Sequence, residues 1–313
     1  MAVTRHAVGG ALIALTLAVG GYVVSRSTGG AEPAGPARID LSRTDTVLYV
    51  DSGRVVRQAP RSDPGAVLAS GPTCHRVDAA AGTMVCLRAT AVPDQSEITV
   101  WGGGPDPRVT LSEWGTPSRA RVSPSGALVA WTVFRAGDSY LMGSGGFSTT
   151  AGIYDLRSGS HYGSLEDFTS YVDGKRFAAV DANFWGITFA ADDRVFYATM
   201  KSGQRTWLMR GDLATRELRS VRENVECPSL SPDGTRVAYK FRTGDTWRLH
   251  VLDLATGADT PLAEPAHVDD QPSWLDGRTI AYTRGTDAYA VPADGTGSPT
   301  LLRAKTTALG AVR

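Results

Sequence analysis

The densest local group able to hold a divalent ion is His267-Val-Asp-Asp270. An imidazole nitrogen and carboxylate oxygens can share such an ion. Asp181 and Asn183 stand in a comparable place ahead of an earlier apolar run. The plainer account of both is a polar loop before a strand. The histidines are His6, His75, His161, His250 and His267, and no two have helical ligand spacing. A nucleophile elbow would need G-x-S-x-G between strand and helix, and the chain carries no such match. The clusters Gly102–Gly104 and Gly143–Gly146 fit neither a P-loop nor a dinucleotide fingerprint. Neither opens a helix, which phosphate binding would require. No catalytic residue, metal site or cofactor is assigned.

A second set of residues suits binding. Tyr140, Phe147, Tyr162, Tyr171 and Trp185 fall between Ala136 and Ile187. With Asp181, His267, Asp269 and Asp270 they form the candidate binding surface. The aromatics could line a lip over a ligand or simply pack beneath a long connection. Trp131, Trp207, Trp247 and Trp274 read as structural residues, because each falls at a repeating strand position.

Those positions come from a repeat. Ser123-Pro-Ser-Gly-Ala-Leu-Val-Ala-Trp131, Ala190 to Tyr197, Ser231-Pro-Asp-Gly-Thr-Arg-Val-Ala-Tyr239 and Trp274-Leu-Asp-Gly-Arg-Thr-Ile-Ala-Tyr282 align, with a weaker copy at Asp78 to Leu87. The anchors Val85, Val129, Val195, Val237 and Ile280 are spaced by 44, 66, 42 and 43 residues. Blades of a propeller recur every 40–45 residues or so. Proline presets φ at the second turn position, and glycine accepts a positive φ further on. The strand after the turn is apolar on both faces, as a sheet between two neighbours must be. A second hairpin follows, turning at Leu254-Ala-Thr-Gly257, Asp155 to Gly159 and Asp212 to Thr215.

The SPDG-x-x-[VI]-A-[YW] turn and strand, followed by Leu-Asp-Leu-x-Thr-Gly, resembles the WD-type repeat of the TolB propeller family. The resemblance covers roughly residues 45 to 313. It implies a propeller fold, export and an envelope setting. The α/β domain that precedes the propeller in TolB proteins has no counterpart here, where a short spacer stands instead. Ala190 to Tyr197 lacks the proline and glycine of the turn.

The fold expected is therefore an all-β, six-bladed β-propeller over residues 44–313, with seven blades as the alternative, preceded by one apolar N-terminal helix. Three strands near Val47–Val50, Arg54–Arg57 and Ala66–Ala69 should join a fourth from Ala308–Arg313 and close the ring. Closure removes exposed sheet edges. The 66-residue step marks an insertion.

Cys74 and Cys86 lie about symmetrically around the turn Asp78–Gly82. They could face each other across a hairpin and bond, contributing about 3 kcal/mol in the chain-entropy model. Such a bond needs an oxidising compartment; the alternative is two buried thiols. Cys227 is left as a small core residue. Ala7 to Val24 is an uncharged run of 18 residues after Arg5. As a helix it spans about 27 Å, near one hydrocarbon thickness. Residues 1–25 read as a transmembrane signal-anchor or a cleaved signal peptide, and 26–43 as a flexible linker. Lys+Arg and Asp+Glu both total 32, so no surplus of positive charge supports nucleic-acid binding. The function expected is a non-enzymatic, extracytoplasmic scaffold for a protein, peptide or glycan, tied to the membrane by the N-terminal segment. The alternative is a propeller enzyme (a lyase, lactonase or glycoside-acting enzyme) with its site in the central channel.

Overall fold

The repeated turns have a chemical explanation. In Ser231-Pro-Asp-Gly234, the Gly234 N–H donates to the Ser231 carbonyl at 2.9 Å, and Gly234 takes φ +73°. The Asp233 carboxylate accepts from the Thr235 N–H at 3.1 Å. Ser123 to Gly126 repeats the geometry, with Gly126 at φ +76°. The degenerate copy solves the same problem differently: Asp193 takes the left-handed conformation at φ +52°, which aspartate tolerates better than most residues.

A computed structural model describes residues 37–135 and 148–313. Arg38–Arg313 forms one compact unit, and it is a six-bladed propeller. Blade 1 takes Thr46–Asp51, Val55–Pro60 and Ala69–Thr73 from the N-terminal side and Thr306–Ala311 from the C-terminal side. Blade 2 is Arg76–Ala80, Thr83–Ala89, Gln95–Trp101 and Pro107–Trp114. Blade 3 is Thr116–Val122, Leu128–Arg135, Ser148–Asp155 and His161–Tyr162. Blade 4 is built on Asn183–Phe189, Val195–Ser202, Arg205–Asp212 and Glu217–Glu223. Blade 5 is Glu226–Leu230, Arg236–Thr243, Thr246–Asp253 and Asp259–Pro261. Blade 6 is Ser273–Trp274, Thr279–Arg284, Asp287–Pro292 and Thr300–Arg303. The apolar N-terminal segment, Tyr140 and Phe147 lie outside the described residues.

Closure follows the expected scheme. Thr306–Ala311 pairs antiparallel with Thr46–Asp51 and becomes the innermost strand of blade 1. The six innermost strands contact one another in a closed circuit. Each blade's second strand is largely buried at its centre between its neighbours, and Leu128 to Val133 are all buried. This is the burial pattern that stacking against like neighbours requires.

The insertion is a sheet extension. Leu165–Asp167 makes one 3₁₀ turn, the one helical turn among the described residues. Thr169–Val172 then pairs parallel with Glu217–Glu223, and Lys175–Phe177 pairs antiparallel beyond it. Phe168 packs edge-on to Phe196, ring centroids 5.9 Å apart. Phe177 lies 5.7 Å from Trp207. These aromatics extend the core between blades 3 and 4 outward.

Candidate functional site

The inner strands all run the same way, so the channel has two chemically distinct ends. We call the end where they begin the upper mouth, and the end bearing the Ser-Pro-Asp-Gly turns the lower mouth. A recurring kink shapes the inner strands. Gly186, Cys227 and Ala308 have φ of +69°, +50° and +53°, each where the ladder to the second strand slips register. Such bulges re-aim side chains at ring rims.

At the upper mouth the connection from blade 5 to blade 6 carries His267, Asp269 and Asp270. The Asp269 carboxylate accepts from the Lys240 ammonium. Burial alone would lift its pKa, but Lys240 holds it below the usual carboxylate range. Asp270 is 8% exposed and lies 3.4 Å from Arg76 Nη1 and 3.9 Å from Arg119 Nη1. Trp247 Nε1 donates to Glu226 at 2.9 Å, and Lys240 Nζ sits 4.8 Å from the Trp247 ring centroid. The Cys227 thiol is buried with Arg119 Nη2 3.7 Å away. Blades 2, 3 and 5 and one connection thus contribute to a single charged cluster.

Deeper in the channel, Asp78 is 4% exposed. It accepts from Arg313 at 2.7 and 3.2 Å and from the Val122 N–H at 2.8 Å. Arg121 approaches it at 3.7 Å. Burial pulls the Arg76 and Arg121 pKa values down.

The candidate residues therefore separate. Asp269 and Asp270 join the cluster. His267 is beside it, its Nδ1 accepting from the Trp247 N–H at 3.2 Å. Asp181 caps a hairpin of the blade it leads into, blade 4, accepting from Ser202 Oγ at 2.6 Å and the Gly203 N–H at 2.7 Å. His75 repeats it in blade 2 by accepting from the Ala89 N–H at 3.2 Å. His75 and Asp181 thus tie the segment leading into an inner strand to a hairpin of the same blade, and His267 ties its connection back to blade 5. Trp185 is buried in the inner strand of blade 4. Tyr162 stands on the outermost strand of blade 3, 5.2 Å under Arg216. Tyr171 lies in the added strand of blade 4, 4.4 Å under Arg219. Tyr162 and Tyr171 thus sit on outer strands, away from the channel cluster. Among the described residues no group of three or more His, Cys, Asp or Glu side chains could hold a metal ion.

Sequence reasoning missed Arg76, Arg119, Arg121, Glu226 and Lys240. The available signal was Arg119-Ala-Arg121, two cations two residues apart in the strand that must lie innermost. Trp131, Trp207 and Trp274 are core residues, each at most 3% exposed. Trp247 is half-buried at the upper mouth, its indole donating to Glu226. Cys74 and Cys86 form a disulfide with Cα atoms 5.6 Å apart. The hairpin register sets Cys86 opposite Val77, so the bond runs diagonally from the segment before the strand and not between facing residues.

No family model matches the chain, and no curated protein matches it in sequence. Solved structures do match in fold. TolB from Acinetobacter baumannii aligns with a TM-score of 0.60 at 15% identity, over 85% of this chain and 66% of that one. The chain thus spans just under two thirds of that TolB. A chain of a nidogen/laminin complex aligns at 0.57 and 11% identity, over 86% and 98%. An oligogalacturonate lyase in complex with manganese aligns at 0.51 and 14% identity, over 82% and 73%. What these share with the protein is the TolB-like propeller fold.

Proposed function

We propose that the protein is a non-enzymatic, extracytoplasmic binding scaffold that takes a protein or peptide partner at the upper mouth of its ring. The observation that carries this is the cluster itself. Lys240 and Arg242 lie over the half-buried indole of Trp247, Lys240 pairs with Asp269, and Arg76 and Arg119 meet Asp270, all on a rigid, multi-blade frame. Tryptophan and arginine dominate the energetics of protein recognition. Fixed charges of both signs favour one partner and disfavour others. The same charges argue against general acid chemistry. Asp269 is paired with Lys240 and its pKa is lowered, whereas an acid working near neutrality needs it raised. The Cys74–Cys86 bond supports an oxidising, extracytoplasmic setting. Similarity to TolB and to a chain of a nidogen/laminin complex is consistent with a fold used for partner binding, and supports no named partner. Among the described residues no helix is long and apolar enough to cross a membrane.

Affinity capture from detergent-extracted envelopes tests the proposal. Trp247→Ala and Asp269→Lys should each reduce partner recovery, the former by about 30-fold if Trp247 is a hot spot worth ~2 kcal/mol. Val221→Arg, on the outer strand of blade 4, should leave recovery unchanged. Equal capture by all four proteins, or loss only with Val221→Arg, would contradict it.

A further inference from the structure

The lower mouth differs from the upper in shape and in charge balance. It opens into a cavity of about 540 Å³, within the range of small-molecule sites. Phe189, Leu230, Pro232 and Trp274 form part of its wall, with Arg121 among its lining residues. Arg121 also lines a second cavity of about 40 Å³ on the side of Arg76 and Asp270. That smaller space is of water size and excludes an organic ligand.

Arg121 is the anomaly. It is 8% exposed, and its Nε has no hydrogen-bond partner. Its Nη2 reaches Ser229 Oγ only at 3.5 Å and the Pro272 carbonyl only at 3.4 Å. Its nearest carboxylate, Asp78, is 3.7 Å away and is already engaged by Arg313 and the Val122 N–H. A buried guanidinium is costly unless it is paired and hydrogen-bonded, and it offers five donors in a fork suited to a carboxylate. Other charges do not close the deficit. Arg61 and Arg313 line the same cavity, and its remaining acid, Asp276, accepts from the Arg278 and Thr279 N–H groups at 2.7 and 2.8 Å.

We infer that the lower mouth binds a small organic carboxylate, its anionic head on Arg121 and its apolar body against Phe189, Leu230, Pro232 and Trp274. The large cavity supplies room for the body. The arginine excess supplies the charge complement. The carboxylate belongs either to a free acid or to the carboxyl end of an apolar peptide, and both use the same fork. This site stands at the opposite end of the channel from the proposed partner mouth, so either reading survives failure of the other.

The test uses the folded protein, titrated with 4-phenylbutyrate, with N-acetyl-Leu-Phe and with the amides of both. Ligand saturation-transfer NMR and the indole resonance of Trp274 report binding. The free acids should bind saturably, with Kd on the order of 1 mM or tighter for ligands of this size, and each amide at least tenfold more weakly. A preference for phenylbutyrate marks a free acid, and a preference for the peptide acid marks a chain end. Arg121→Met removes a poorly compensated charge, so folding should be retained, and acid binding should fall tenfold or more. Arg121→Lys, which keeps the charge without the fork, should fall between. Arg88→Met, a surface residue paired with Glu97, should bind like the parent. Absence of saturable binding, equal binding of acid and amide, or full binding by folded Arg121→Met would overturn the inference.

Discussion

Asp78 anchors the deeper of the channel's charged groups. It neutralises Arg313 directly and Arg121 at longer range, and it caps the Val122 N–H. Removing one partner of a buried pair leaves the other uncompensated, at about 3–5 kcal/mol. Asp78→Asn should therefore destabilise the protein by about 3 kcal/mol in urea unfolding. The double variant Asp78→Asn/Arg121→Met should lose less than the sum of the two single changes, because one stranded charge is gone. A loss under about 1 kcal/mol for Asp78→Asn would contradict this role, since buried uncompensated charge is among the costlier defects. Residue roles were the least legible part of the sequence. Asp269 and Asp270 were found because they stand together. Arg76, Arg119 and Lys240 meet them only through the ring, from positions remote along the chain. His267 and Asp181 were chosen for their chemistry, whereas the fold uses each as a cap on a hairpin.

At the scale of elements, two blades share a device that the repeat did not reveal. Trp131 sits opposite Gly152, and Phe196 opposite Gly211, across adjacent strands. A Cβ on Gly211 would lie 2.2 Å from the Phe196 ring, and one on Gly152 would lie 2.5 Å from Trp131. The aromatic ring thus covers the backbone of a glycine that has no side chain of its own to contribute. Gly211→Ala should cost about 1–3 kcal/mol through overpacking, read as a fall in Tm. Adding Phe196→Leu should recover part of it. An unchanged Tm for Gly211→Ala would contradict the contact. The strands themselves were legible, because the proline–glycine turns and two-faced apolar runs are local signals. The degenerate turn at Asp193 was legible as a strand but not as a tight turn, since a left-handed aspartate leaves no such mark. The two strands added to blade 4 were hidden for another reason. Thr169–Val172 pairs parallel with Glu217–Glu223, a partnership decided by neighbours distant in sequence.

At the scale of the whole molecule, six sheets apolar on both faces can bury those faces only in a closed circle, and the circle closes at one seam. Thr306–Ala311 supplies the innermost strand of a blade whose other strands come from the opposite end of the chain. The blade count and the mixed origin of the closing blade were both readable from the 42–44-residue spacing and the leftover strands at each end. The buried Asp78–Arg313 pair depends on that seam, because the two residues come from blade 2 and from the end of the closing strand. Val47 and Ala311 are register partners there, and the neighbouring Val312 N–H donates to the Thr46 carbonyl at 3.0 Å, so their side chains stand close. The most direct measurement is oxidation of the Val47→Cys/Ala311→Cys variant, followed by intact mass and non-reducing electrophoresis. A closed ring predicts near-complete intramolecular cross-linking, with faster migration and a higher Tm than the reduced form. Two thiols that remain free to alkylation in the folded protein, or that link only between molecules, would contradict it.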